Sequence, residues 1–233
     1  MTLTADASQW FDYGQPPDPS WKYGGKDAQL RVIFPIRKKF QSNPNGVYVN
    51  ANSSGRNGED HFSPLFLGPC RLYGNATAKT MENAWQFSKV YPQHVGTDGQ
   101  PTEEYFEWAK QGWSAWRAER YPMGKGTKAS FHWWDGQRLD KVETRKWMYV
   151  PLYAEQVVKR PFFQGLKRVW DEEIKPDAEN SLYLMDFDAY EYGTMTLSEV
   201  LNNPAKSMGH GFVLAMLLTN DPALRECELR TNS

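Results

Sequence analysis

The chain has 233 residues and a formal net charge of −1, with 40% hydrophobic and 24% charged residues. These proportions suit a single globular domain with a sizeable core. They exclude a protein whose main work is non-specific nucleic-acid binding, which needs a basic footprint.

Aromatic residues reach 15%, among them 10 Trp. Such rings fill a rigid core and also offer faces that stack on a base or a sugar. The two cysteines, Cys70 and Cys227, lie far apart and follow neither a metal-ligand spacing nor a disulfide framework. The N-terminus shows no basic region followed by an apolar run, and the longest apolar stretch, residues 212–218, is too short to cross a bilayer. The expected location is the cytoplasm, with no membrane partner.

Residues 1–28 are dense in Pro, Gly, Asp and aromatic side chains and read as an irregular arm. Residues 29–225 read as one domain, and residues 226–233 as a polar tail that frays. Leu30-Arg31-Val32-Ile33-Phe34 has strand composition, and Pro35 ends it or confines it to a sheet edge. Gly46-Val47-Tyr48-Val49 reads as a short strand between Asn- and Gly-rich turns. A compact apolar turn at 62–69 leads into Cys70-Arg71-Leu72-Tyr73-Gly74, a further strand. Thr80 then caps a helix on which Glu82, Gln86 and Lys89 fall at i, i+4 and i+7, a single polar face flanked by Trp85. Met81, Ala84 and Ser88 face inward.

Pro101-Thr102-Glu103-Glu104 opens the next helix, with acids in its first turn. Tyr105, Trp108, Ala109, Trp113 and Trp116 recur at helical spacing and predict a core face, and Gly112 permits close packing. Met123-Gly124-Lys125-Gly126-Thr127-Lys128 does not fit the phosphate-cradling loop pattern. It is either a solvated turn or a loop whose lysines meet a phosphate. Phe131-His132-Trp133-Trp134 is an aromatic cluster closed by an Asp-Gly turn. Residues 140–149 predict a helix, and Pro151 starts a second segment because it would break a single long one. Another helix begins at Pro161 and ends near Pro176. Residues 180–185 read as a strand running into a loop of acids and tyrosines at 186–193. Thr196 and Glu199 form a capping box, and residues 211–218, apolar all round, predict a buried helix. The fold class expected is α+β, a mostly helical single domain with a few short strands.

Of the possible chemistries, carboxylate chemistry is the best supported. His61, His94, His132 and His210 are not spaced as metal ligands, and no G-x-S-x-G motif occurs. No metal or other cofactor is expected. Glu82 sits in a helix first turn, while Asp186, Asp188 and Glu191 follow a strand. Cleaving a glycosidic bond passes through an oxocarbenium-like state, which needs a carboxylate to stabilise charge or activate water. Taken alone, a first-turn glutamate is first a partner of the helix dipole.

The stretch Thr80-Met81-Glu82-Asn83-Ala84-Trp85-Gln86-Phe87-Ser88-Lys89 resembles the T-x-E-H-x-x-Q-x-x-K helix of the NADAR family. The turn Phe62-Ser63-Pro64-Leu65-Phe66 and the strand ending at Gly74 precede it in the family's order. Tyr121-Pro122-Met123-Gly124-Lys125 resembles the family's M-G-R turn, Asp188-Ala189-Tyr190 its N-D-A-Y-W-G loop, and the 211–217 helix its closing helix. The likeness spans roughly residues 45–218, leaving the arm outside.

This resemblance implies a hydrolase of N-glycosidic bonds acting on a riboflavin-pathway intermediate or on ADP-ribose attached to guanine. It implies Glu82 as the catalytic carboxylate and Asp188 as its partner acid. Trp85, Gln86, Lys89 and Tyr190 would bind the nucleotide-like substrate together with Asn83, and Lys125 would take the phosphate side. Asn83 stands where the family keeps a histidine, Pro64 where it keeps an asparagine, Glu191-Tyr192 in place of a tryptophan, and Gly209-His210 in place of an arginine or asparagine. Two other readings accompany the hydrolase. One is a non-catalytic binder of ADP-ribose, NAD or a modified nucleotide; the other is a glycosylase or transferase acting on modified bases in DNA or RNA.

Overall fold

A computed structural model describes residues 29–41, 43–55 and 59–231, and the arm read at 1–28 lies outside them. In chain order the elements are β1 (Leu30–Ile33), β2 (Gly46–Asn50), β3 (Cys70–Arg71), β4 (Thr77–Ala78), α1 (Met81–Gln86), β5 (Lys89–Val90) and α2 (Glu103–Ser114). They continue with β6 (Phe131–Trp134), β7 (Gln137–Leu139), α3 (Lys141–Thr144), α4 (Val150–Val157), α5 (Pro161–Arg168), β8 (Ser181–Met185), α6 (Leu197–Leu201) and α7 (His210–Thr219). The fold is mixed α+β. Among the described residues no helix is long and apolar enough to cross a membrane.

β8 is the centre of a three-stranded parallel sheet ordered β1-β8-β2. Leu182 and Leu184 of β8 are fully buried, and β1 forms an edge that stops before Pro35. α7 lies against β1, β8 and α4. Every residue of α7 is buried, as an apolar sequence without a polar face requires. A second small sheet, β5-β6-β7, is antiparallel. Its β6–β7 hairpin turns on Asp135 and Gly136, both with positive φ (44° and 79°), the two-residue geometry that matches strand twist. The Asp-Gly turn was legible in the sequence, but the strands on either side of it were not.

Three expectations are corrected. α1 stops at Gln86, so Lys89 reaches the site from β5 and not from a third helical turn. Trp116 lies beyond the end of α2 and is 83% exposed, whereas Tyr105, Ala109 and Trp113 are buried as the spacing predicts. Gly112 does allow a close crossing, since a Cβ there would fall 2.0 Å from the Phe87 ring.

The third correction joins Pro151 to the chain end. Residues 141–157 form one continuous helical run, because Arg145–Tyr149 open into a π turn just before the proline. A proline lacks the N–H for its i−4 carbonyl and crowds that group. That carbonyl, on Trp147, instead accepts the Arg230 N–H (3.2 Å), and the Lys146 carbonyl accepts the Glu228 N–H (3.0 Å). Residues 227–230 are therefore docked and not frayed. Cys227 is buried, the Arg230 carbonyl accepts the Trp134 indole N–H (2.6 Å), and the Arg230 guanidinium sits 3.7 Å from the Trp147 ring centre.

Candidate functional site

One wall of the site is formed by α1 and β5. Thr80 accepts the Asn83 N–H through its side chain (3.1 Å), while the Pro64 carbonyl accepts the Glu82 N–H (3.0 Å). The apolar turn at 63–67 thus finishes the helix N-terminus and fixes Glu82 against it. The Gln86 amide donates to Glu82 Oε1 (2.8 Å), and Lys89 Nζ donates to Gln86 Oε1 (2.6 Å). A carboxylate only accepts and an ammonium only donates, so this relay admits one orientation of the Gln86 amide. Trp85 packs its ring on His132 (4.6 Å between centres) and Tyr149 (4.9 Å), with Lys89 Nζ 5.3 Å from the Trp85 ring centre. Behind it, Ser88 donates to the Trp85 carbonyl and meets His132 Nδ1 at 2.9 Å.

The facing wall is the junction of β8 with α7. Asp186 leaves the end of β8 and is 2% exposed. Its Oδ1 accepts the Asp188 N–H (2.9 Å) and its Oδ2 accepts the Gly211 N–H (2.6 Å) in the first turn of α7. Only glycines leave room for this approach: a Cβ at Gly209 would fall 2.3 Å from Asp186 Oδ2, and one at Gly211 2.9 Å from its Cβ. His210 Nδ1 lies 3.3 Å from Asp186 Oδ2, and its Nε2 meets the Ala51 carbonyl at 2.7 Å. Asn52 completes the junction, donating to the Met185 carbonyl (3.1 Å) and accepting the Phe187 N–H (3.3 Å).

Between the walls is a cavity of about 670 Å³, within the range of small-molecule sites. Glu82, Trp85, Gln86, Lys89 and Asp188, all named from the sequence, line it together. Three other sequence candidates do not. Asn83 is fully buried, donating to the Ala115 and Arg117 carbonyls (3.1 Å each) and accepting the Glu119 N–H (2.9 Å), so it anchors the 115–119 segment. Tyr190 packs on Phe212 and Tyr192, away from the cavity lining. Lys125 is exposed on its Gly-rich turn. The lining also includes residues that sequence reading did not assign to the site, notably Arg120, Lys141, Arg145, Tyr149, Asp186 and His210.

Burial sets the charge states. It raises the Glu82 carboxyl from its ordinary value, opposed by the Gln86 amide and the Lys89 ammonium. Asp188 stands at the exposed mouth, yet partial burial, and then Asp186, also move it up. Lys89 is moved down by burial, while Glu82 and Asp188 hold it up. Tyr149 is raised well above its ordinary value by burial, with Asp186, Glu82 and Asp188 adding to the effect, so it remains a hydroxyl donor. His132 is lowered to about 3 by burial and by the Lys89 charge, so it supports Trp85 as a neutral ring.

The arrangement supplies a carboxylate with a raised proton affinity, an ammonium one relay step away, an indole face and a second carboxylate across the cavity. Among the described residues no group of three or more His, Cys, Asp or Glu is placed to hold a metal ion. No protein-family model, curated protein or solved structure matches the chain.

Proposed function

We propose that the chain hydrolyses the N-glycosidic bond of a nucleotide-like substrate in this cavity. One observation carries the reading: Glu82, Gln86, Lys89, Trp85 and Asp188 line a single cavity. Residues from both the stretch that resembles the NADAR family's helix and the one that resembles its loop therefore face the same space, although Asn83 and Tyr190 of those stretches do not, and the mixed α+β fold is of the class that likeness implies.

Glu82 takes a proton from water as the water oxygen bonds to the anomeric carbon. The carbon–nitrogen bond breaks and its electron pair leaves with the base, which takes up the proton that Glu82 received from water, directly or through solvent, and so returns Glu82 to its carboxylate. A carboxylate whose proton affinity is moved toward neutrality is a better base at working pH than an ordinary one. Lys89, through Gln86, fixes the carboxylate that abstracts the proton. Asp188 stabilises the positive charge that develops on the sugar or orients its hydroxyls. Trp85, held by neutral His132 and by Tyr149, offers a face for the base. A cytoplasmic setting fits two buried, unpaired cysteines.

The test is release of free base from ADP-ribosylated guanine nucleosides and from ribosylated pyrimidine phosphates by the purified chain. Release from either class is expected. Binding of ADP-ribose with no turnover of either class would replace this reading with that of a non-catalytic binder.

A further inference from the structure

Four cationic side chains line the cavity, and they are not equally committed. Lys89 is tied into the relay with Gln86 and Glu82. Arg145 is buried, and its guanidinium donates to the carbonyls of Leu201 (3.1 Å), Asn203 (2.8 Å) and Lys206, closing the C-terminal end of α6. Arg120 and Lys141 differ. Arg120 donates to Ser53 Oγ (2.6 Å) and Lys141 Nζ to the Pro204 carbonyl (2.9 Å), both neutral acceptors. Among the described residues no carboxylate forms an ion pair with either. A guanidinium has five N–H donors and an ammonium three, so each keeps unused donors at the exposed edge of the cavity. Ser53 and Ser207 add hydroxyls to the same lining. Of the three carboxylates in the lining, Asp186 is consumed by α7 and Glu82 by the relay, while Asp188 stands at the mouth, where its charge acts on Lys141 without an ion-pair contact.

We propose that Arg120 and Lys141 form the subsite for a phosphate or diphosphate group of the ligand. This rests on the reading of the cavity as a nucleotide site. It moves the phosphate contact away from Lys125, which the fold keeps out of the cavity. A fork of N–H groups on Arg120 suits phosphate oxygens, and Lys141 adds a second charge. Both side chains are exposed and each makes a single surface hydrogen bond, so their replacement is expected to leave the thermal midpoint close to that of the wild type.

The experiment is a calorimetric titration of the full chain with ribose 5-phosphate and with ribose. The phosphorylated sugar is expected to bind at least about tenfold tighter, a preference that shrinks with added salt. Arg120→Ala and Lys141→Ala are each expected to weaken ribose 5-phosphate about tenfold and to leave ribose unchanged, while Lys125→Ala changes neither. Equal affinity for the two sugars, or a loss with Lys125→Ala as large as with Arg120→Ala, would overturn the subsite. Because the readout is binding, a preference for phosphate without base release would retain the subsite and remove only the hydrolase.

Discussion

At the scale of single residues, the site depends on which groups are kept uncharged by burial. His132 is the clearest case. Its folded value of about 3 lies below the ordinary 6.5. Below pH 6.5 the unfolded chain takes up a proton that the folded chain refuses. Its contribution to stability is therefore complete above pH 6.5 and is lost as pH falls toward 3, with a slope of about 1.4 kcal/mol per pH unit. Glu82 and Asp188 have the opposite sign. Their folded values are raised, so their contribution is present at low pH and is lost as pH rises through those values. In urea unfolding between pH 4 and 7, His132→Gln is expected to flatten the acid-side loss of stability relative to wild type. An unchanged slope would mean that the ring is already charged in the fold and does not support Trp85 as a neutral group.

At the scale of elements, the junction of the π turn with the chain end makes a direct prediction. A chain stopped after Cys227 leaves the Lys146 and Trp147 carbonyls without their N–H donors. The Trp134 indole N–H also loses its Arg230 acceptor, so at about 1 kcal/mol for each of the three hydrogen bonds the loss is on the order of 3 kcal/mol. Thermal unfolding measures it, and an unchanged midpoint would restore the frayed tail read from composition. That reading failed because polar composition does not reveal the carbonyls that Pro151 leaves open some 80 residues earlier. Other elements were legible for local reasons. The Thr80 cap, the Thr196–Glu199 box and the buried α7 depend on residues within one or two turns. Glu82 and Gln86 were legible as an i, i+4 pair. Lys89 reached the same cavity by a different route, because α1 ends at Gln86 with Phe87 as its C-cap and Lys89 lies on β5. Asp186 was legible only as one of several acids after a strand, and His210 was not assigned to the site. Their roles arise where parallel β8 meets α7 and where Gly209 and Gly211 clear a path, contacts that no local spacing encodes.

At the scale of the whole molecule, two walls distant in sequence enclose one reactive space. α1 and β5 supply the relay, and the β8–α7 junction supplies Asp186, Asp188 and His210. The parallel pairing of β8 with both β1 and β2 sets the position of that junction, and the Asn52 contacts tie it to the end of β2. Glu82 carries the central claim. If it is the base, base release by the wild type must fall along an acid-side limb lying above the ordinary glutamate value of 4.5, because protonation there removes the group that activates water. Glu82→Gln retains size and hydrogen bonding and removes only the basic oxygen. The decisive measurement is kcat/KM for base release against pH, in wild type and in Glu82→Gln, with folding checked by thermal midpoint. A fall of roughly 10²–10⁴-fold at neutral pH, with the acid limb abolished, is expected. Equal rates and the same pH profile in the two proteins would contradict the assignment of Glu82 as the catalytic carboxylate.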